Sequence, residues 1–176
     1  MHAGQSPPHR DAADEAKRTL FDRLYQEHGP SLFRYLRRLA GADDDPADLL
    51  HETFLRLWTQ PAPEAIANLR AWLFRVATNV AHNRRRDMQR SRHREQAVVA
   101  PDAALEDPVA RLDAQAQVQR ALASIDDVRA RRALLLFAEG FTYREIAGIL
   151  DLAPGHVGVL IQRGRDQFRP RGESTP

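Results

Sequence analysis

The chain has 176 residues, 43% of them hydrophobic, with 26 basic against 24 acidic side chains and a formal charge of +2, a size that suits one or two small domains with a core in each. It contains no cysteine, which excludes disulfides and thiolate metal sites and gives no ground for an oxidising compartment. No run approaches the roughly eighteen apolar residues of a membrane span and the N-terminus lacks a signal-peptide apolar region, so no membrane insertion is expected and the cytoplasm is the expected location.

Residues 1–17 are polar, with Pro7, Pro8 and charges without period, and read as a disordered tail. From Leu20 the apolar residues Leu20, Phe21, Leu24, Tyr25, Leu32, Phe33, Leu36 and Leu39 keep helical spacing. Gly29-Pro30 interrupts them, which predicts two short helices or one sharply kinked one, ended by Gly41. Asp45 then Pro46 is an N-cap followed by proline at the first helical position. The helix they open should run to about Thr59, with Leu49, Leu50, Phe54, Leu57 and Trp58 on its core side. Asp48, Glu52, Leu55 and Thr59 fall on the opposite side, a leucine between two carboxylates.

Gln60 to Ala67 carries two prolines and reads as a loop leading to an Asn68 N-cap. In the helix that follows, Leu69, Trp72, Leu73, Val76 and Val80 form a core-facing stripe. Arg75, Asn79, His82, Arg86 and His93 line up beside it over about 27 Å at 1.5 Å per residue, with Asn83 adjacent. Six arginines against one aspartate lie between Arg84 and Arg94, so positive charge is concentrated here, as nucleic-acid binding requires.

Residues 96–107 lose periodicity and carry Asp102, Glu106 and Asp107; they read as a flexible linker between domains at 18–95 and 108–170, with 171–176 a tail. The second domain should hold helices over 108–124 and 127–139, the latter ended by Gly140. Thr142-Tyr143-Arg144-Glu145 is a capping box. The helix it opens, to Leu150, and another from Pro154 to about Phe168 have helix-turn-helix spacing in Ile146, Ala147, Leu150, Leu152, Val157 and Ile161. The fold class expected is all-α, two small helical domains with the helix-turn-helix in the second. His28, His51, His82 and His93 lack paired ligand spacing, so no metal is assigned and no cofactor is expected. Gly-rich phosphate loops and catalytic signatures do not occur, which argues against an enzyme.

Three segments in this order and spacing resemble the extracytoplasmic-function class of bacterial sigma-70 factors. They are Asp48-Leu-Leu-His-Glu-Thr-Phe-Leu-Arg-Leu-Trp58, Ala71-Trp-Leu-Phe-Arg-Val-Ala-Thr-Asn79, and Gly140-Phe-Thr-Tyr-Arg-Glu-Ile-Ala-Gly-Ile-Leu150 with Val157 and Arg163 beyond it. The resemblance covers residues 20–170 and implies the second and fourth domains of larger sigma factors. It implies that Asp48, Glu52 and Leu55 dock on the β′ clamp helices of core RNA polymerase, although Ala47 stands where the family has an acidic residue. It implies that Arg75, Asn79, His82, Asn83 and Arg86 hold the non-template strand of the −10 element. The helix-turn-helix would read −35 duplex through Tyr143, Arg144, His156, Gln162, Arg163 and Arg165 and rest on the polymerase β flap. Ala153, Gly158 and Leu160 replace residues the family often has there. The expected partners are core polymerase, promoter DNA as duplex and single strand, and an anti-sigma factor where one exists, the free protein being a monomer. Alternative readings are a free-standing helix-turn-helix regulator and a sigma-like interaction module without promoter activity.

Overall fold

The computed structural model describes residues 8–40, 44–95 and 110–168. Among them seven α-helices occur and no strand: α1 Pro8–Leu39, α2 Pro46–Trp58, α3 Leu69–Glu95, α4 Ala110–Ala123, α5 Val128–Ala138, α6 Tyr143–Leu150 and α7 Pro154–Gln167. The linker expected at 96–107, the end expected at Gly41 and the tail at 171–176 lie outside the described residues.

α1 corrects one expectation and decides between the two forms of another. Residues 8–17 are helical rather than part of a tail. The early part of the helix has tertiary support, since Lys17 lies over the Trp58 ring at 5.0 Å and Leu20 and Phe21 pack against the core. Pro30 does not end the helix, which is continuous through it. An interior proline costs about 3 kcal/mol, but buried Leu24 before it and Leu32, Tyr35 and Leu36 after it hold both halves on one core.

The expected caps form. Asp45 Oδ1 accepts from the Ala47 N–H at 2.8 Å, and Asn68 Oδ1 accepts from the Ala71 N–H at 2.9 Å. α2 buries Leu49, Leu50, Thr53, Phe54 and Leu57, while Trp58, expected inside, lies at the margin against Phe21 and Lys17. α3 is buried over a wider arc than its expected stripe. Leu73 and Val80 are buried, but so are Phe74, Ala77, Thr78 and Ala81, with Leu69, Trp72 and Val76 only partly covered. On that second side the Thr78 and Tyr35 hydroxyls share a buried hydrogen bond of 2.7 Å. Burial pushes the Tyr35 phenol up to about 12, so it stays neutral.

In the second domain Asp127 caps α5 through the Arg129 and Ala130 amides. Gly140, at φ +86°, carries the chain out of α5. Thr142 and Glu145 complete the capping box of α6. Asp151 takes the left-handed conformation at the turn, φ 54°, and the Leu152 N–H donates to the Ala147 carbonyl at 2.9 Å. α7 crosses α5 at Gly164, where an added Cβ would lie 3.1 Å from the Ala130 oxygen and 3.3 Å from the Leu134 Cβ. Glycine is needed there for close approach.

The two domains pack on each other. Phe74 of α3 meets Phe141 edge-on, ring centroids 4.8 Å apart. Arg70 lies over Phe141 at 4.0 Å and donates to the Glu139 carbonyl. Asn68 donates to Glu145 at 3.0 Å, Arg38 pairs with Glu139 at 3.4 Å, and Gln119 donates to the Arg37 carbonyl at 2.6 Å.

Candidate functional site

Three exposed faces carry the residues singled out in the sequence. On α2, Asp48 and Leu55 are exposed, Leu55 at 48%, and Glu52 is half-buried. Glu52 pairs with Arg56 along the helix at 2.7 Å, and Asp48 reaches Arg84 of α3 at 3.5 Å. Both pairs are solvent-facing, so they contribute little to stability and are readily exchanged for contacts with another macromolecule.

On α3, Arg75, Asn79, Asn83 and Arg86 are all exposed on the side turned away from the core. Amides and guanidiniums in one row can pair base edges and phosphates, respectively, of an extended strand. His82 belongs to the same row but is engaged across the domain junction, its Nδ1 3.0 Å from the Arg132 guanidinium. The guanidinium can only donate, so the imidazole nitrogen accepts and the ring is neutral in this arrangement. The side chain of His93 lies outside the described residues.

On α6 and α7 the structure separates the expected residues into two groups. Tyr143, Arg144, His156 and Gln162 are exposed. Tyr143 leans on Phe137 and passes beside Gly158, where a Cβ would meet its ring at 3.5 Å. Arg163 and Arg165 are exposed as well, and each also has a partner within the domain. Arg163 pairs with the α5 cap Asp127 at 2.9 Å, and Arg165 lies over Phe137 at 5.0 Å. Gln162 donates to Asp166 one turn on, at 3.0 Å. Sequence reasoning missed Val159, 54% exposed. Its signal was available on the helical wheel, opposite the buried Val157, Leu160 and Ile161. A valine there can touch a thymine methyl.

The chain matches the family Sigma-70 region 2 over residues 24–91 and Sigma-70 region 4 over residues 115–168. The ECF RNA polymerase sigma factor SigE of Mycolicibacterium smegmatis is 31% identical over 167 residues, covering 89% of this chain and 63% of that relative. The chain belongs to the sigma-70 family, in its extracytoplasmic-function class. It spans about two thirds of the length of that relative, 63%. Among solved structures, the sigma factor RpoE of Bartonella quintana, determined with the anti-sigma factor NepR, superposes with a TM-score of 0.69 at 26% identity, covering 84% of this chain and 93% of that one. CnrH, determined with the cytosolic domain of CnrY, gives 0.64 at 26% identity, covering 90% of this chain and 93% of the other.

In this sigma-70 family member the His82 contact is expected to make the domain junction sensitive to pH. Partial burial of the ring, then the guanidiniums of Arg132, Arg86 and Arg85, hold the His82 pKa below its ordinary value. A histidine whose pKa is depressed in the packed arrangement favours that arrangement fully above its ordinary pKa of about 6.5. The contribution is lost progressively as pH falls below that value. A pair of fluorophores placed one on each domain, on cysteines introduced into this cysteine-free chain, should report a looser junction at pH 5.5 than at pH 8, and His82→Gln should flatten that dependence.

The glycines of α7 are of two kinds. A Cβ at Gly155 would meet no atom within 4 Å, so Gly155→Ala removes a flexible helix position at no steric cost. It is expected to stabilise the protein by up to about 1 kcal/mol, read as a raised midpoint in thermal unfolding.

Proposed function

We propose that this protein is a transcription-initiation factor that joins core RNA polymerase, directs it to particular promoters and helps melt the −10 region by binding energy rather than catalysis. The exposed Arg75, Asn79, Asn83 and Arg86 row on a rigid helix carries this reading. Such groups offset the loss of base stacking when a strand is displaced, which duplex-only binders have no need to do. Asp48, Glu52 and Leu55 supply a small apolar and acidic face suited to the β′ clamp helices, where charge at the rim tunes the rate of association.

The helix-turn-helix would sit on the β flap and meet −35 duplex through Tyr143, Arg144, His156 and Gln162, with Arg163 and Arg165 contributing only if they leave Asp127 and Phe137. The sigma factors of the two solved complexes were captured with an anti-sigma factor in one and with the cytosolic domain of CnrY in the other, which supports an inhibitory protein partner here as well. No helix among the described residues is long and apolar enough to cross a membrane, in keeping with work in the cytoplasm.

The test is run-off transcription with core polymerase on a genomic promoter library. Promoter-dependent transcripts are expected; their absence, with duplex binding retained, would favour a free-standing regulator. Asn79→Ala should lower open-complex formation, followed by permanganate reactivity of unpaired thymines, about tenfold, within the roughly 1–3 kcal/mol of a bidentate amide–base pair, with duplex binding unchanged. Equal losses in both assays would remove Asn79 from the single-strand face.

A further inference from the structure

α7 turns one narrow strip outward. Gly155, Val159, Gln162 and Asp166 are exposed and recur at three- and four-residue spacing, so they fall within about 60° of one another on the helical wheel. The strip opens on a glycine where a Cβ would meet nothing within 4 Å and continues with a valine 54% exposed, so its first half carries no polar side chain. Its second half is a pair, the Gln162 Nε2 donating to Asp166 Oδ1 at 3.0 Å. A carboxylate accepts and does not donate, so the nitrogen end of the amide, not the oxygen end, must face Asp166. The planar amide then leaves its Oε1 to meet a ligand. Beside the strip, Arg163 is paired with Asp127 at 2.9 Å, so the kind of side chain that most often reads guanine is engaged within its own domain.

We infer that Asp166 positions Gln162 to read adenine in the major groove, beside a pair whose thymine methyl meets Val159, and that guanine is rejected at the Gln162 position. The inference rests on the proposed role of α7 as the duplex-reading helix and deepens it. Adenine offers its N6 amine to the Gln162 oxygen and its N7 acceptor to the second N–H of the amide. Guanine shows acceptors alone, O6 and N7, and sets one of them against that oxygen. An unrestrained glutamine escapes this clash by turning its amide over, but Gln162 forfeits the Asp166 bond if it turns. Cytosine, whose N4 is a donor, is accepted through one bond instead of two. Val159 and Gln162 lie about 4.5 Å apart along the helix axis at 1.5 Å per residue, close to the roughly 3.4 Å between successive bases of a strand. They therefore fall on neighbouring base pairs.

The full-length protein with core polymerase selects from duplexes randomised upstream of the melted region, and the bound fraction is sequenced for the parent and for Gln162→Ala, Val159→Ala, Asp166→Asn and Asp166→Glu. The parent should enrich adenine over guanine about tenfold at one position, within the cost of a mismatched pair, next to an enriched thymine. Gln162→Ala should level the bases at the adenine position, and Val159→Ala should level the neighbouring one. Asp166→Asn should raise guanine at the adenine position about tenfold, because an asparagine can donate to the Gln162 oxygen and let the amide present N–H outward. Asp166→Glu keeps an acceptor one turn on and should keep the preference for adenine. Val159, Gln162 and Asp166 are exposed, so circular dichroism melts of the variants should match the parent. If Asp166 acts only on stability or by repelling phosphate, Asp166→Asn changes binding to every duplex alike and leaves the base preference unmoved, which overturns the inference. It is likewise overturned if the position levelled by Gln162→Ala carries guanine in the parent, or if Gln162→Ala leaves every position as it was. Those results leave duplex reading by the helix-turn-helix standing, because upstream enrichment persists. Enrichment at no upstream position removes that reading and the inference with it.

Discussion

Gly164→Val should lower the thermal unfolding midpoint of the second domain by about 5–20 °C. The first added carbon would come within 3.1 Å of the Ala130 carbonyl oxygen and 3.3 Å of the Leu134 Cβ. The first is backbone in the first turn of α5 and cannot swing aside as a long side chain would. Relief requires α7 to move off α5, which disturbs Leu136, Val157 and Ile161, all buried at this centre. Overpacking of that kind costs about 1–3 kcal/mol, and in a domain of this size each kcal/mol shifts the midpoint by about 4–8 °C. Gly148→Ala is the matched control, because a Cβ at Gly148 meets nothing within 4 Å; it should melt higher than the parent. If both variants melt like the parent, the α5 and α7 backbones are not in the close contact described.

The second large effect concerns the face of α2. Asp48→Lys combined with Leu55→Ala should weaken association with core polymerase by about 100-fold, measured by fluorescence anisotropy of labelled protein. Truncating a leucine that becomes covered in a complex loses about 1.5–3 kcal/mol, and reversing a charge adds repulsion where attraction stood. Together they exceed the roughly 2.7 kcal/mol that 100-fold represents. The fold should not suffer, since both side chains are exposed and Asp48 pairs with the solvent-facing Arg84 at 3.5 Å. Association unchanged in the double variant would take polymerase docking away from this face.

The features legible in the sequence are those decided locally. Asp45, Asn68 and Thr142 cap helices because their side chains reach amides two or three residues on, and nothing distant can improve on that bond. The helix-turn-helix was readable for a related reason, its apolar residues having to meet across one short turn. The continuity of the helix through Pro30 and the second core face of α3 were not legible because distant residues decide them. A proline rule sees the lost donor at Pro30 but not the buried residues on either side of it. A single apolar stripe was expected on α3 because Ala77, Thr78 and Ala81 are too small to announce a second core face, which is made by distant residues: Tyr35 of α1 on Thr78 and Phe74, and Phe141, sixty-seven residues beyond Phe74 in the chain. The candidate DNA contacts divide in the same way. Exposure of Asn79 and Asn83 followed from the wheel. The engagement of Arg163 by Asp127 and of Arg165 by Phe137 did not, because an arginine's charge is written in the sequence and its partner is not.

The pairing of those two exposed arginines within their own domain bears on how promoter binding is expected to respond to electrolyte. Each phosphate neutralised on duplex DNA releases condensed counterions and steepens the dependence of log K on log salt by about 0.9. With Arg163 and Arg165 paired to Asp127 and Phe137 and Val159, Gln162 and Asp166 facing outward on α7, the helix proposed to read duplex is expected to displace few ions. The arginines of α3, in the proposed contact with a displaced strand, are expected to displace more, at about 0.7 for each phosphate of a single strand. Added salt should therefore erode the melted complex faster than the initial duplex encounter, so that the ionic strength of the medium sets how far promoter engagement proceeds.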